Sequence, residues 1–80
     1  MWELYNYYFT FGSAPYFPYQ RGQYVLVKAR NLREAKRKYK EKHPNRLPNS
    51  LNCASYYPEE LFNTFRDKYY KDVEPAEVIE

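Results

Sequence analysis

Tyrosine dominates the composition of this chain: 11 of its 80 residues are Tyr, beside five Phe and one Trp. A tyrosine ring is buried like an apolar group, whereas its hydroxyl needs a hydrogen-bond partner. This is why 44% of the residues count as hydrophobic although the mean hydropathy is −0.98. Together with a net charge of only +3, the composition predicts a small folded domain with a tyrosine-rich core rather than a disordered chain.

Several protein classes are excluded by what the sequence lacks. It has no apolar run long enough to span a membrane, and its first residues lack the basic start of a signal peptide. One Cys and one His cannot supply a four-ligand zinc site, and one Cys cannot form an internal disulfide. We therefore expect a cytoplasmic protein that carries no metal and no other cofactor.

Two segments in the first part of the chain alternate in the way that β-strands do. Residues 3–11 place four aromatic rings on one face, which we expect to be the core face: Tyr5, Tyr7, Phe9 and Phe11. Residues 23–29 alternate similarly, with both valines on one side. Residues 12–22 contain two Pro and two Gly, and this loop is long enough to join the strands as an antiparallel pair.

The clearest helix covers residues 31–43. Asn31 is a good N-cap, Glu34 follows three residues later as in a capping box, and Pro44 ends the helix. Residues 51–57 predict a third strand. Pro58 suits the first position of a second helix, so we expect a helix to begin there.

The predicted order is therefore β-β-α-β-α, an α+β fold of two layers. A right-handed crossover through the first helix would make the second and third strands parallel, which gives a small mixed sheet with two helices on one face. We expect one α+β domain over residues 1–72 and an acidic, flexible tail over residues 73–80. The alternative for the tail is a short edge strand at Val78 and Ile79.

Charge is distributed unevenly along the chain. Residues 1–50 contain ten Lys or Arg and three acidic residues, whereas residues 51–80 contain three Lys or Arg and seven acidic residues. Projected at about 100° per residue, four cations of the first helix form one ridge: Arg33, Lys36, Arg37 and Lys40. Such a ridge predicts salt-sensitive binding to a phosphate backbone or an acidic protein surface. The alternative is an ordinary solvated helix face.

The loop between the first two strands carries three rings beside a cation: Tyr16, Phe17, Tyr19 and Arg21. Either the loop folds back as a lid over the sheet, or it presents its rings to a partner, where Tyr and Arg are frequent anchors. The strand tyrosines could stack the bases of a single-stranded nucleic acid, but core packing is favoured for them because the strands lack the basic-aromatic signature of RNA-binding sheets.

Catalysis has little support in the sequence. His43 lies at a helix end, Cys53 lies where a small buried hydrophobe fits, and no third group is evident that would orient a Cys–His pair. Glu59 and Glu60 match the positive end of a helix dipole. We therefore expect a protein that is not an enzyme, with an enzyme dependent on Cys53 as a third class.

Four stretches carry a resemblance to known sequences: YYFTFGS, YVLVKA, the helix end KYKEKHP, and LNCASYYPEEL. Over residues 5–65 the chain resembles small uncharacterised proteins encoded by phages and prophages of Gram-positive bacteria. The resemblance implies a protein that binds and disables a host component, as anti-CRISPR proteins and other counter-defence inhibitors do. Many such inhibitors are acidic mimics of DNA; this chain is basic in its first half, so we expect no DNA mimic.

These observations lead to one main hypothesis and one alternative. The main hypothesis is a phage-type inhibitor that binds a host protein or ribonucleoprotein complex stoichiometrically, through the ridge and the aromatic loop. The alternative is a small RNA- or DNA-binding protein that uses the same surface. We expect no membrane partner, and either a monomer or a homodimer that forms through an exposed strand edge.

Overall fold

The computed structural model describes residues 3–14, 17–44 and 51–80. Within these residues, the chain forms four strands and three helices: β1 (Tyr5–Thr10), β2 (Tyr24–Ala29), α1 (Leu32–Lys42), β3 (Ser55–Pro58), α2 (Glu59–Asn63), α3 (Arg66–Tyr69) and β4 (Glu77–Ile79). The strands make one mixed sheet in the order β3-β1-β2-β4. The predicted α+β class, with a small mixed sheet and helices packed on it, is confirmed.

The central strand β1 sets the direction of its neighbours. It pairs antiparallel with both β2 and β3, while β4 pairs parallel with β2. Strands β2 and β3 therefore run in the same direction, as the predicted crossover requires, but β1 lies between them. Strand β3 also begins later than predicted, since the carbonyl oxygen of Asn52 accepts a hydrogen bond from the Tyr39 hydroxyl at 2.6 Å instead of entering the sheet.

The predicted helix over residues 31–43 is confirmed as α1 with its two caps. The side chain of Asn31 accepts from the backbone N–H of Glu34 at 2.8 Å. The Glu34 carboxylate accepts from the N–H of Arg30 at 3.0 Å, one residue before the position that a capping box would use. At the other end, the N–H of His43 donates to Tyr39.

One face of the sheet packs against α1. The ring of Phe9 stacks on the ring of Tyr39 with centroids 4.5 Å apart and planes within 5° of parallel. Both side chains are fully buried. The buried members of this first core cluster come from α1, from three strands and from Phe11 just after β1: Phe9, Phe11, Val25, Val27, Ala29, Ala35, Tyr39 and Ile79. The predicted core face of β1 is confirmed for Phe9 and Phe11 and in part for Tyr7, which packs against the cluster. It is wrong for Tyr5, which is 50% exposed at the start of the strand.

The opposite face of the sheet is also covered, by α2 and the segment that follows it. The ring of Tyr8 stacks on Phe62 at 4.1 Å, and Tyr24 packs beside them at 5.6 Å from Tyr8 and 5.3 Å from Phe62. These three residues form a second core cluster. The prediction of two layers with both helices on one face is therefore wrong: α1 and α2 lie on opposite faces, which gives three layers.

Tyrosine hydroxyls explain this difference. Tyr8 and Tyr24 alternate with the first core cluster, so they lie on the face of the sheet opposite α1. Both are nevertheless buried, because the Tyr8 hydroxyl donates to the Glu59 carboxylate at 3.0 Å and the Tyr24 hydroxyl donates to the carbonyl of Val73 at 2.8 Å.

The second predicted helix is divided into α2 and α3. The hydroxyl of Thr64 donates to the carbonyl oxygen of Leu61 at 2.6 Å, and the backbone N–H of Thr64 reaches the same oxygen at 3.1 Å. Such local bonds compete with the i to i−4 pattern of an α-helix. The interruption lets Phe65 and Tyr70 turn toward the second core cluster.

The C-terminal residues belong to the sheet. Ile79 is only 4% exposed within the first core cluster, and the N–H of Ala76 donates to the carbonyl of Tyr24 at 2.8 Å. The prediction of a flexible tail is wrong for residues 77–79, and the alternative of an edge strand that includes Val78 and Ile79 is what the structure contains. The open edge of β2 supplies backbone partners, and Ile79 supplies an apolar group to bury.

Candidate anion-binding surface on the first helix

The four cations predicted to form a ridge lie on one flank of α1. Ala35 and Tyr39 are fully buried and fix which side of α1 faces the sheet. The ridge residues follow the i, i+3, i+4, i+7 spacing beside that buried stripe: Arg33, Lys36, Arg37 and Lys40. Arg33 and Arg37 are exposed, and Lys36 and Lys40 are half-buried at the edge of the stripe. We call these four residues the basic ridge.

Glu34 lies behind the basic ridge and is held mainly by other cations. Its carboxylate is 2.6 Å from the Arg30 guanidinium and 3.8 Å from the Lys38 ammonium. The side chain and backbone N–H groups of Arg30 lower the pKa of Glu34 to about 2, so it is ionised at neutral pH. Arg37 reaches it only at 3.8 Å. The charge of Glu34 is therefore shared chiefly with groups outside the ridge.

Arg37 in the basic ridge has two acidic neighbours within α1. Its second contact is with Glu41 at 3.5 Å, and the two side chains are 62% and 66% exposed. Exposed pairs of this kind typically stabilise by well under about 1 kcal/mol, because both side chains remain solvated and mobile. Either partner can thus be exchanged for an outside ligand at little cost.

An exposed aromatic ring extends the basic ridge onto the sheet. The Lys36 ammonium lies 5.2 Å from the ring centroid of Tyr56 in β3, and Tyr56 is 37% exposed. Tyr56 is in register with Phe9, and their ring centroids are 5.8 Å apart, so the ring has a fixed support beneath it. Sequence analysis missed Tyr56, because its position beside Lys36 depends on the pairing of β1 with β3.

Phe17 and Tyr19, the two loop rings that the structure describes, fold back onto the core. Phe17 and Tyr19 pack against Phe11 with centroids 6.1 and 5.5 Å apart, and the Tyr19 hydroxyl donates to Glu77 in β4 at 3.0 Å. For these rings the lid alternative holds. Tyr19 contacts the β4 edge, whereas Tyr56 lies on the opposite edge strand. Tyr16 lies outside the described residues.

Arg21 is also separated from the basic ridge. It lines a pocket with Tyr57, Phe65 and Tyr70, side chains that pack on or beside the second core cluster. The ridge belongs to α1, on the other face of the sheet. The predicted site therefore divides: the four helix cations stay together, and Phe17, Tyr19 and Arg21 do not join them.

Cys53 and His43, the two candidates for catalysis, both have contacts that hold the fold together. Burial against the first core cluster raises the pKa of the Cys53 thiol to about 11, so it is protonated at neutral pH. The Nε2 atom of His43 lies 2.7 Å from the Glu77 carboxylate. Burial pushes the pKa of Glu77 up, but hydrogen bonds with His43 and Tyr19 outweigh this and lower it overall. This pair joins the end of α1 to β4.

Among residues 3–14, 17–44 and 51–80, no group of three or more His, Cys, Asp or Glu side chains could hold a metal ion. Of the helices described, none combines the length and the apolar character needed to cross a lipid bilayer. No protein family, curated protein or solved structure matches this chain.

Proposed function

We propose that this chain is a non-enzymatic protein that binds an acidic macromolecular surface through the basic ridge and Tyr56. In line with the phage resemblance, the partner is a host protein or ribonucleoprotein complex of bacterial defence. The protein then acts in the host cytoplasm as a stoichiometric inhibitor. The contact between Lys36 and Tyr56 carries the proposal, because it brings a clustered cation and a partly exposed aromatic ring together in one surface.

Those two properties have different roles in binding. Clustered cations steer an acidic partner and orient it, and they raise the association rate. An aromatic ring that is partly exposed and held from below supplies an anchor that loses water on binding. Tyr56 is such a ring, since Phe9 supports it and Lys36 borders it.

Two acidic residues of the C-terminal third, Glu59 and Glu77, have partners away from the basic ridge. Glu59 accepts from Asn6 at 2.8 Å and from Tyr8 at 3.0 Å, on the face opposite α1. Glu77 is engaged by His43 and Tyr19 at the β4 edge. The ion pairs of Arg37 in the ridge are with Glu34 and Glu41, both within α1 itself. An outside anion would therefore meet a net positive flank.

A charge-reversal pair tests the proposal. The variant Lys36→Glu/Arg37→Glu changes the ridge, and Lys42→Glu/Lys71→Glu changes the net charge equally with two exposed lysines outside it. Tagged wild type and both variants are used to recover partners from a bacterial lysate, and the bound protein and nucleic acid are identified. We expect wild type and the control variant to recover the same partner, and the ridge variant to lose at least about tenfold.

Two results would contradict the proposal. One is equal recovery by the ridge variant and the control variant. The other is equal loss in both, since binding would then follow net charge and not the ridge. Circular dichroism must show that both variants are folded, which the exposure of Arg37, Lys42 and Lys71 favours.

A second candidate function is direct binding of single-stranded RNA or DNA. The ring of Tyr56 among cations favours it, because bases stack on aromatic side chains while cations follow the backbone. Labelled single- and double-stranded oligonucleotides are titrated at low and high salt. If all four ridge cations contact phosphates, the affinity for a single strand falls roughly 50-fold between about 50 and 200 mM salt. Absence of binding at low salt rejects this candidate and leaves the protein partner.

A further inference from the structure

A pocket lies on the face of the sheet opposite α1. Its volume is about 480 Å³, which is within the usual range for small-molecule sites. Four of its six lining residues are aromatic, and one is a cation: Arg21, Gly22, Tyr57, Phe65, Tyr69 and Tyr70. The proposed function does not use this pocket. Its chemistry therefore points to a separate ligand.

The aromatic wall is built around Phe65. The ring of Phe65 meets Tyr57 edge-on at 4.9 Å and Tyr69 edge-on at 6.2 Å, and it meets Tyr70 at a tilt at 6.4 Å. Rings that meet at such angles enclose a concave surface and leave some of their flat faces uncovered. Tyr69 is 62% exposed, and the Lys68 ammonium lies over its ring at 5.4 Å from the centroid, which leaves the other face of the ring for a ligand. The wall thus presents π faces on which a planar ring can stack.

Arg21 supplies the charge at the pocket. It is exposed and has no ion-pair or hydrogen-bond partner in the part of the chain that the structure describes. The turn that carries it is fixed: Gly22 has a φ of +91°, the N–H of Gln23 donates to the carbonyl of Gln20 at 3.0 Å, and the N–H of Gln20 donates to the Gln23 side chain at 2.8 Å. A hydrogen-bonded turn therefore places the backbone of Arg21 at the pocket, and its unpaired guanidinium is within the pocket lining.

We propose that this pocket binds a nucleoside monophosphate, with its heterocycle stacked on the tyrosine rings and its phosphate paired with Arg21. A planar heterocycle matches the aromatic wall, and a guanidinium pairs with two phosphate oxygens at once. A purely apolar ligand would leave Arg21 without a function, and a simple anion would leave the rings without one. Only a ligand with both parts uses the whole pocket.

Calorimetric titration with AMP tests this, with adenosine and ribose 5-phosphate as the two half-ligands. We expect saturable binding of AMP, weaker binding of adenosine and the weakest binding of ribose 5-phosphate. Arg21→Gln should weaken AMP binding at least about tenfold and leave adenosine binding unchanged. Tyr69→Ala should weaken AMP and adenosine alike. Tyr5→Ala is the matched control, since Tyr5 is 50% exposed and lies outside the pocket.

The ridge variant Lys36→Glu/Arg37→Glu separates this proposal from the function proposed above. It should bind AMP as well as wild type does, whatever its effect on the macromolecular partner. Loss of AMP binding in the ridge variant would place the phosphate on α1 and overturn the pocket proposal. The proposal is equally overturned by the absence of saturable AMP binding at millimolar concentration, or by full AMP binding in Arg21→Gln and Tyr69→Ala.

Discussion

Substitution of Ile79 measures how much the last strand contributes to the fold. Ile79 is 4% exposed, in a cluster with Val25 and Val27, so Ile79→Ala removes three buried carbon atoms from the first core cluster. Comparable changes cost about 2–5 kcal/mol, and a position near the chain end can relax, so we expect about 2–3 kcal/mol. A domain of this size has a free energy of unfolding of about 4–12 kcal/mol, so the loss is a large fraction of it.

Urea unfolding followed by far-ultraviolet circular dichroism measures the effect. With an m value of about 1–1.5 kcal/mol/M, the midpoint of Ile79→Ala should fall by roughly 2 M. Val78→Ala is the matched control, because Val78 lies in the same strand and is 45% exposed. It should change the free energy of unfolding by no more than about 0.5 kcal/mol.

The comparison between the two variants decides the matter. If Ile79→Ala and Val78→Ala have the same midpoint as wild type, residues 77–79 do not pack as β4. The flexible tail predicted from the acidic composition would then be right. An equal and large loss of stability in both variants would mean that Val78 is buried as well as Ile79, contrary to the packing described for β4.

Three further outcomes follow from buried polar groups. Tyr39→Phe should cost about 1–3 kcal/mol in urea unfolding, because the carbonyl of Asn52 loses its 2.6 Å donor. The pKa of Glu77 is lower in the folded state than in the unfolded chain, so Glu77 stabilises the fold above its unfolded pKa, and this stabilisation is lost as pH falls through the folded pKa. Glu77→Gln should therefore reduce the loss of stability that wild type shows on acidification, measured by urea unfolding across pH. An unchanged loss in the variant would exclude the pairing of Glu77 with His43. Since the pKa of Cys53 is raised to about 11, its alkylation by iodoacetamide near pH 8 should be at least about 100-fold slower than that of a free thiol, and alkylation at the free-thiol rate would show that Cys53 is not buried.

Local signals made α1 and its ridge predictable from sequence. Asn31 and Pro44 mark the two ends of the helix within a few residues of it, and the spacing of the cations fixes their common flank without reference to any other element. Alternation likewise identified β1 and β2. These features depend on neighbours in sequence, and they were the parts of the fold that needed no knowledge of tertiary contacts.

Distant polar partners made the second core cluster unpredictable. Burial of Tyr8 requires the carboxylate of Glu59, which is 51 residues away, and burial of Tyr24 requires the carbonyl of Val73, which is 49 residues away. Alternation alone counts a tyrosine as compatible with either face of a sheet. The number of covered faces was therefore decided by hydrogen bonds that the pattern does not contain.

The same reason limits what sequence shows about the site. The ring of Tyr56 becomes part of the ridge surface only because β3 pairs with β1 and places it opposite Phe9. Phe17 and Tyr19 become a lid only because Phe11 and Glu77 lie beneath them. Residue types indicated that cations and rings would matter, and strand pairing decided which rings stand beside which cations.

Coverage of both faces of the sheet has a functional consequence. The ridge surface and the pocket at Arg21 lie on opposite faces of the sheet, and both core clusters lie between them. Sites that share no side chain usually combine additively, within about 0.3–0.5 kcal/mol. In a combined variant, Arg21→Gln with Lys36→Glu/Arg37→Glu, the loss of AMP binding and the loss of partner binding should each equal the loss measured in the separate variants. A larger departure from additivity would mean that the sheet transmits occupancy from one face to the other, and that nucleotide binding regulates the ridge.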